Sequence, residues 1–181
     1  AFECHKGHTR KNGDDYIEHP LNVALILTDL NVDYVTIASA LLHETINHGG
    51  SSKEIIKEKF GEEIANIVDC ISKINKLTLS DDKEISALNL RKVLVGLSED
   101  VRVLFIKLAD RLHNMRTIYA LDPEDQKAKI NETSTVLIPI AHRLGINSIK
   151  SELEDLCLKY SKPDVYNEIL AKLNITKTNL N

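Results

Sequence analysis

The chain has 181 residues, 43% of them hydrophobic and 28% charged, which is an ordinary composition for one soluble globular domain. Its formal net charge of −4 argues against a general DNA-binding protein, although a few local cations would be enough to hold a nucleotide. No apolar run reaches the roughly 18–20 residues that a membrane span needs, and no signal-peptide pattern opens the chain, so we expect neither DNA nor a membrane as partner.

The scarcity of Gly and Pro, the 4% aromatic content and the abundance of Leu and Ile favour helices, and no segment alternates as a strand would. In the first half we predict the end of a helix at 1–8 and a polar loop at Thr9–Asp15. Four helices follow: one at Leu21–Leu30, one that begins near Asp33 and stops at Asn47–Gly50, one that begins with a capping box at Ser51–Glu54 and runs to Phe60, and one at Glu62–Ile74. The predicted elements of the second half are helices at Ser86–Leu97, Val101–Ala120, from Asp122 through Ala141, Ile149–Tyr160 and Val165–Leu173. The predicted fold class is all-α.

The chain contains three cysteines that are far apart in the sequence, Cys4, Cys70 and Cys157. Their odd number and wide spacing fit neither a zinc site nor a disulfide framework. We therefore predict ordinary buried thiols and a reducing, cytoplasmic setting.

A sparse set of metal-ligand residue types runs through the chain. His19 precedes a predicted helix, His43-Glu44 lies near the end of another, and Asp110 lies within a long one. Imidazoles and carboxylates suit a divalent transition metal such as manganese, iron or zinc. Only the fold can bring these residues together, and each histidine taken singly is more often a surface or satisfied core residue.

The segment Lys107–Thr117 has two distinct helical faces. One face is apolar and repeats at helical spacing, with Leu104, Leu108, Leu112 and Met115. At 100° per residue, Asp110, Asn114 and Thr117 share another face, which places a carboxylate near an amide and a hydroxyl. The alternative interpretation of this polar stripe is a solvated helix surface.

A second group of polar residues places several positively charged side chains before His19 in the sequence. Arg10 and Lys11 are the last residues of the basic segment His5–Lys11. The guanidinium of an arginine can stack on a purine or bind phosphate oxygens, and a lysine supplies a point charge. An exposed basic loop is the alternative.

These segments together resemble the hydrolase domain of the long RelA/SpoT homologues, which make and degrade (p)ppGpp. The resemblance covers almost the whole chain, and its most specific block is Lys107–Thr117. The other supporting segments are His5–Gly7 with Arg10-Lys11, Tyr16–Pro20, Ala40–His43, and the tail from Ala141–Gly145 to Glu152–Leu156.

The resemblance implies an HD-type helical bundle around a metal site. It implies a hydrolase domain at residues 1–160 and, at residues 161–181, a helix that leads toward a synthetase domain outside this sequence. We therefore expect a piece of a longer cytoplasmic protein, which the opening Ala1 in place of Met also favours.

The resemblance also implies roles for individual residues. A manganese ion would be held by His19, His43, Glu44 and Asp110. The guanosine would lie beside Arg10, Lys11, Asn114 and Thr117. The implied reaction, part of the stringent response, removes the 3′-pyrophosphate of ppGpp or pppGpp to give GDP or GTP, with manganese polarising the phosphoryl oxygens and activating water.

Three positions depart from the family pattern, and we take all three as candidate catalytic residues. Glu44 replaces the usual Asp and adds a methylene to a metal-ligand side chain. Asn47 and His48 stand where active hydrolases carry a Glu-Asp pair that positions and activates the attacking water. Asn47 can orient water but cannot accept a proton, whereas His48 can act as a base, bind the metal, or point into solvent.

Three functional hypotheses follow from these departures. The first is an active manganese-dependent (p)ppGpp 3′-pyrophosphohydrolase. The second is a degenerate domain, with activity attenuated or lost, that binds alarmone or regulates a RelA-type synthetase. The third is a His/Asp phosphohydrolase that acts on another nucleotide.

Overall fold

The structure, a computed structural model, describes residues 1–48, 50–77 and 100–179. Within these ranges it contains helices, turns and a single isolated bridge between Thr9 and Asp15, but no strand, so the predicted all-α class is confirmed. The chain packs as two compact units, Ala1–Ala120 and Leu121–Asn181.

The first unit contains these helices: α1 Phe2–His5, α2 Glu18–Thr28, α3 Tyr34–Leu42, α4 Lys53–Phe60, α5 Glu62–Leu77, α6 Val101–Arg116 and a 3-10 turn Ile118–Ala120. The second contains α7 Pro123–Glu132, a π-helical segment Thr133–Leu137, α8 Ile138–Arg143, α9 Asn147–Ser161 and α10 Pro163–Asn179.

Helix α6 is the centre of the first unit, and α2, α3 and α5 all pack against it. Its buried apolar side chains are Val103, Ile106, Leu108, Ala109, Leu112 and Met115. Leu104, predicted to share the core face, is only half-buried. Because neighbours cover α6 on several sides, its buried surface is wider than one amphipathic stripe, and it also holds Asp110, Arg111 and His113.

Side-chain caps fix where several helices begin. Asp33 accepts a hydrogen bond from the backbone N–H of Thr36 (2.7 Å), and Ser52 accepts one from Ile55 (3.3 Å). Asp100 accepts one from the backbone N–H of Arg102 (3.0 Å) at the start of α6. These bonds satisfy amides that have no partner within their own helix.

The Arg102 cluster joins three helix starts at the surface of the first unit. The Arg102 guanidinium lies 2.6 Å from an Asp100 carboxylate oxygen, 2.8 Å from Glu63 and 3.2 Å from Asp33. One side chain therefore connects the beginning of α6 to the caps or first turns of α3 and α5.

Two helix boundaries differ from the prediction in ways that bear on the candidate site. Helix α2 begins at Glu18, so His19 lies inside its first turn and not before it. Helix α3 ends at Leu42, and residues 43–48 form successive turns. His43 and Glu44 therefore lie just beyond the helix in which they were predicted.

Other boundaries differ more simply. The predicted helix Val101–Ala120 changes to a 3-10 turn after Arg116, and the one predicted from Asp122 through Ala141 is divided by the π-helical segment. Helix α10 extends past Leu173. The predicted helix Ser86–Leu97 lies outside the described residues.

Near the start of the second unit, the Asp122 side chain accepts a hydrogen bond from the backbone N–H of Asp125 (3.0 Å), and Pro123 occupies the first turn of α7. Its core side chains are Val136, Leu137, Ile140, Ala141, Ile146, Ile149, Leu153 and Cys157. No helix in the described ranges combines the length and apolar character that a membrane crossing needs.

The three cysteines all lie in the described part of the chain and form no disulfide there. Cys157 is buried as predicted, but Cys4 and Cys70 are only half-buried, so the prediction of buried thiols is wrong for these two.

Candidate metal centre

Three side chains that are distant in sequence converge in the core of the first unit. His19 on α2, His43 after α3 and Asp110 on α6 each offer one ligand atom, and these atoms all lie within 4.8 Å of one another. The three residues are almost completely buried, at 2%, 0% and 6% exposure. Polar groups are costly to bury without partners, so their convergence needs an explanation.

Hydrogen bonding fixes which nitrogen of His43 faces the cluster. Its Nδ1 lies 2.6 Å from the carbonyl oxygen of Ala40, so Nδ1 carries the hydrogen and donates it. Its Nε2 is buried, has no hydrogen-bond partner among the described residues, and lies 4.0 Å from Asp110 Oδ1. The lone pair of His43 Nε2 is thus directed at the Asp110 carboxylate.

The same argument applies to His19 through His113. An arginine only donates, so His113 Nδ1, 3.3 Å from Arg10 Nη1, is an acceptor. His19 Nδ1, 2.9 Å from the same His113 nitrogen, must then donate to it. This leaves the lone pair of His19 Nε2 facing Asp110 Oδ1 at 3.2 Å.

The electrostatic environment keeps these groups in metal-binding protonation states. Burial, only partly opposed by Asp110, lowers the pKa of His19 to about 4. Burial would raise the pKa of Asp110, but the Lys107 ammonium, 2.8 Å from Oδ2, holds it well below its ordinary value. The His19 and His43 imidazoles and the Asp110 carboxylate together form a donor set that suits a divalent metal.

Glu44 lies at the edge of this cluster. Its Oε1 is 3.6 Å from His43 Nε2, and its Oε2 is 3.1 Å from His48 Nε2. The Glu44 side chain is 12% exposed and that of His48 is 34% exposed, so the pair spans from the buried cluster to solvent. Of the two positions predicted to stand in place of a Glu-Asp pair, His48 therefore contacts a candidate metal ligand.

Asn47 is positioned differently. Its Oδ1 accepts a hydrogen bond from Ser72 Oγ at 2.7 Å, which ties the turn after α3 to helix α5. The backbone N–H groups of Asn47 and His48 both bond to the carbonyl of Glu44 at 3.1 Å, so the two residues follow Glu44 in a tight turn.

Two asparagine amides extend the polar network around the carboxylates. Asn75 donates from Nδ2 to Glu44 Oε1 (3.2 Å) and accepts at Oδ1 from Lys107 Nζ (2.9 Å). Lys107 Nζ also lies 2.8 Å from Asp110 Oδ2. On the other side, Asn114 Nδ2 donates to Asp110 Oδ1 at 2.7 Å.

Arg10 links this network to the residues predicted to hold the nucleoside. Its Nη2 donates to Asn114 Oδ1 (2.9 Å) and to Thr117 Oγ1 (3.4 Å). The Arg10 side chain thus lies across the polar face of α6 that the sequence predicted. The structure brings these three residues together, and their role in binding substrate remains a prediction.

The backbone around Arg10 is a closed turn. Arg10 N–H donates to the carbonyl of Asp14 (2.9 Å), and Gly13 N–H donates to the carbonyl of Arg10 (2.9 Å). Gly13 has φ +91°, a conformation that residues with a Cβ rarely adopt. Lys11 is exposed on this turn, and its position relative to a guanine base remains a prediction.

Aromatic rings enclose the outer side of the cluster. Tyr16 stacks on His5 (ring centroids 5.1 Å apart, 4° between planes) and contacts His48 (4.4 Å). It also meets the ring of His19 edge-on at 6.2 Å. Burial and the charge of Glu44 raise the pKa of Tyr16, so its hydroxyl stays protonated.

Reasoning from the sequence did not assign a role to Asn75, Lys107, His113 or Tyr16. Lys107 and His113 lie inside the block that carried the family resemblance, and Lys107 precedes Asp110 by three residues, which is contact spacing on a helix. Tyr16 lies in another quoted segment. For Asn75 the sequence offers no comparable signal, because only the packing of α5 against its neighbours brings it to Glu44.

Comparison with known proteins places this geometry in a family. A family model described as the HD domain matches residues 1–147. The protein named GTP pyrophosphokinase rsh of Brucella melitensis is 44% identical over 174 residues, which are 96% of this chain and 23% of that protein. The bifunctional (p)ppGpp synthase/hydrolase SpoT of Escherichia coli K12 is 42% identical over 169 residues, 93% of this chain and 24% of that protein.

A solved structure, described as a metazoan ortholog of SpoT that hydrolyzes ppGpp, superimposes with a TM-score of 0.72. It covers 88% of this chain and 90% of its own, and at 21% identity it shows a shared fold. The chain spans about a quarter of the length of the curated relatives it matches. The predicted HD-type similarity to the RelA/SpoT proteins is confirmed, and the chain belongs to the HD domain family.

Proposed function

We propose that this domain is a manganese-dependent (p)ppGpp 3′-pyrophosphohydrolase, which converts ppGpp to GDP and pppGpp to GTP with release of pyrophosphate. The observation that carries the proposal is the convergence of the Nε2 atoms of His19 and His43 on the Asp110 carboxylate, beside a polar helix face that Arg10 contacts. The similarity to a SpoT protein named as a (p)ppGpp synthase/hydrolase supports this choice of substrate.

The residues that would hold the metal are His19, His43, Glu44 and Asp110. When bound, a manganese ion supplies Lewis-acid polarisation of phosphoryl oxygens and promotes the ionisation of water near neutral pH. Oxygen and imidazole donors without thiolate are compatible with manganese, since they combine hard ligands with nitrogen.

The remaining residues bind and orient the substrate. We assign Arg10, Lys11, Asn114 and Thr117 to the guanosine. Since Asn114 contacts both Arg10 and Asp110, a nucleoside held on this face of α6 would have its ribose close to the metal centre.

Hydrolysis consumes one water, whose oxygen bonds to phosphorus while the bond from phosphorus to the ribose 3′-oxygen breaks. The water must lose a proton and the departing 3′-oxygen must gain one. His48 is suited to accept the proton at Nδ1, because its Nε2 lies 3.1 Å from Glu44 Oε2 and donates to it, and a carboxylate orients and stabilises an imidazolium. Asn47, held by Ser72, serves to orient water.

A second candidate function is supported by one specific observation. The amide of Asn47 cannot accept a proton, and His48 is a third exposed, so the domain can bind alarmone and metal without cleaving. In that case it would be a sensing or regulatory module of a longer protein. We also propose that residues 1–160 form the hydrolase domain and that 161–181 lead toward a synthetase domain in a cytoplasmic protein. The greater length of the relatives supports only the presence of a further domain.

The decisive experiment is pyrophosphate release by the purified chain from ppGpp with manganese, compared with the variant Asp110→Asn. We expect metal-dependent release in the native chain, and loss of both release and manganese binding in the variant, because a neutral amide is a poor metal ligand. Binding of ppGpp without release would support the regulatory candidate. Equal or faster cleavage of ordinary nucleotides would contradict the proposed substrate.

A further inference from the structure

We infer that Asn75 is a positioning residue for metal binding, which acts by fixing the carboxylate of Glu44. The inference rests on the proposed function only in that Glu44 is taken as a metal ligand. Asn75 lies on α5, far in sequence from Glu44, and contributes no atom to the converging donor set.

The contacts give this amide a defined orientation. Its Nδ2 can only donate, and it lies 3.2 Å from Glu44 Oε1; its Oδ1 can only accept, and it lies 2.9 Å from Lys107 Nζ. Rotating the amide by 180° would set its oxygen against a carboxylate and its nitrogen against an ammonium. The charges on either side therefore select a single orientation.

Glu44 needs such a restraint more than a shorter acid would. It has one more rotatable bond than aspartate, and immobilising a glutamate side chain costs about 1.5–2 kcal/mol of conformational entropy. Asn75 holds Oε1 while His48 holds Oε2, so both oxygens are fixed before any cation arrives. Preorganised ligands bind metal more tightly because less ordering accompanies binding.

The arrangement also has a parallel on α6. Asn114 donates to Asp110 and accepts from Arg10, just as Asn75 donates to Glu44 and accepts from Lys107. Each carboxylate is thus held by an asparagine amide whose oxygen faces a cation. Lys107 contacts both the Asn75 amide and Asp110, which connects the two halves.

The test is a titration of the metal-free protein with manganese alone, followed by the electron paramagnetic resonance signal of free Mn²⁺. We expect Asn75→Ala to weaken manganese binding by roughly 10–100-fold, the usual effect of removing a hydrogen-bond partner of a metal ligand. Asn75→Leu keeps the number of non-hydrogen side-chain atoms and removes both hydrogen bonds, so we expect a similar loss. Lys73→Ala, an exposed position on the same helix that pairs with Asp69, is the matched control and should bind manganese like the native chain.

A double-mutant cycle with Glu44→Asp separates positioning from general packing. The shorter acid cannot keep the contact with Asn75, so in that background Asn75→Ala should change manganese affinity by less than about threefold. An equal loss in both backgrounds would overturn the inference, as would native affinity in a folded Asn75→Leu protein. Circular dichroism of the metal-free variants shows whether they are folded.

These outcomes are independent of catalysis, because no nucleotide is present. If manganese binds and depends on Asn75 while ppGpp is not cleaved, the proposed function fails and the inference stands. If ppGpp is cleaved and the affinity for manganese is the same with and without the Asn75 side chain, the inference alone fails.

Discussion

At the scale of single residues, His48 and Glu44 form an imidazole–carboxylate pair that connects the buried cluster to solvent. Around His48 lie the rings of Tyr16, His5 and His8, with centroids at 4.4, 5.9 and 6.4 Å. These neighbours limit the positions of the imidazole and leave its Nε2 directed at Glu44. In the proposed reaction this pair supplies the proton acceptor for water.

This placement predicts the effect of removing the imidazole. We expect His48→Ala to lower kcat for ppGpp hydrolysis by about 10²-fold, the lower range for loss of a general base, at saturating manganese. His8→Ala is the matched control, since His8 is an exposed member of the same ring cluster with no assigned role. A native rate in His48→Ala would show that another group accepts the proton.

How much of the site could be predicted varies from residue to residue. The helical repeat placed Asp110, Asn114 and Thr117 on one face because all three lie on a single regular element, and the structure shows Asn114 in contact with Asp110. Asn75 could not be found in this way. Its contact with Glu44 depends on the packing of two elements and on a rotamer, neither of which leaves a periodic signal.

At the scale of elements, the Arg102 cluster stabilises the beginning of helix α6. Hydrogen bonds from Arg102 hold the pKa of Asp100 below its ordinary value, and those from Thr36, with a smaller contribution from Arg102, do the same for Asp33. A carboxyl whose folded pKa is depressed stabilises the fold above its unfolded pKa, and this contribution disappears as the pH falls through the folded pKa.

We therefore predict that Arg102→Met lowers the free energy of unfolding by about 1 kcal/mol at pH 7, a modest value because the partners are partly exposed. The difference between the native chain and the variant should shrink below about pH 4, as Asp33 and Asp100 become protonated. Urea denaturation of both proteins at several pH values measures this difference in the free energy of unfolding. A difference that is constant down to pH 2 would show that Arg102 stabilises the fold through packing and not through charge.

The element boundaries show where sequence signals were sufficient. Asp33 and Asp122 cap helices that were predicted to begin at or near them, because capping is a local interaction. The helix predicted to begin with a capping box at Ser51–Glu54 is capped by Ser52, one residue later than that motif implies. The end of α3 at Leu42 was not predicted, since the helix pattern continues past it. Just beyond this end, His43 Nδ1 bonds locally to the carbonyl of Ala40, and Ser72 on α5 bonds to Asn47 across the fold.

At the scale of the whole molecule, the candidate metal ligands come from α2, from the turn after α3 and from α6. A cation that binds all three elements only in the folded state adds stability by mass action. At a manganese concentration 100-fold above the dissociation constant, the gain is about 2.7 kcal/mol.

Removal of the metal should therefore lower the melting temperature. For a chain of this size we expect a drop of roughly 5–10 °C when a chelator replaces saturating manganese. Asp110→Asn should melt at the same temperature in both conditions, and differential scanning calorimetry provides the measurement. A native chain whose melting temperature ignores the chelator would contradict a metal site that joins these elements.

The fold class followed from composition and periodicity, which are properties of the whole chain. The HD-type similarity followed from the dense block Lys107–Thr117, and the family match to residues 1–147 confirms it. The division at Ala120 into two compact units was not predicted, because it depends on which helices pack together and the sequence around it contains no obvious linker.

The protonation states of the buried cluster have a consequence for the thermodynamics of metal uptake. Most protein sites expel protons when a cation binds, so their apparent affinity rises with pH. His19, with a pKa of about 4, and Asp110, with a pKa well below the ordinary value, have already given up theirs at neutral pH. Neither residue therefore releases a proton to the buffer when a metal binds. The enthalpy of coordination at these two ligands contains no heat of ionisation, and their contribution to metal affinity does not change with pH across the neutral range.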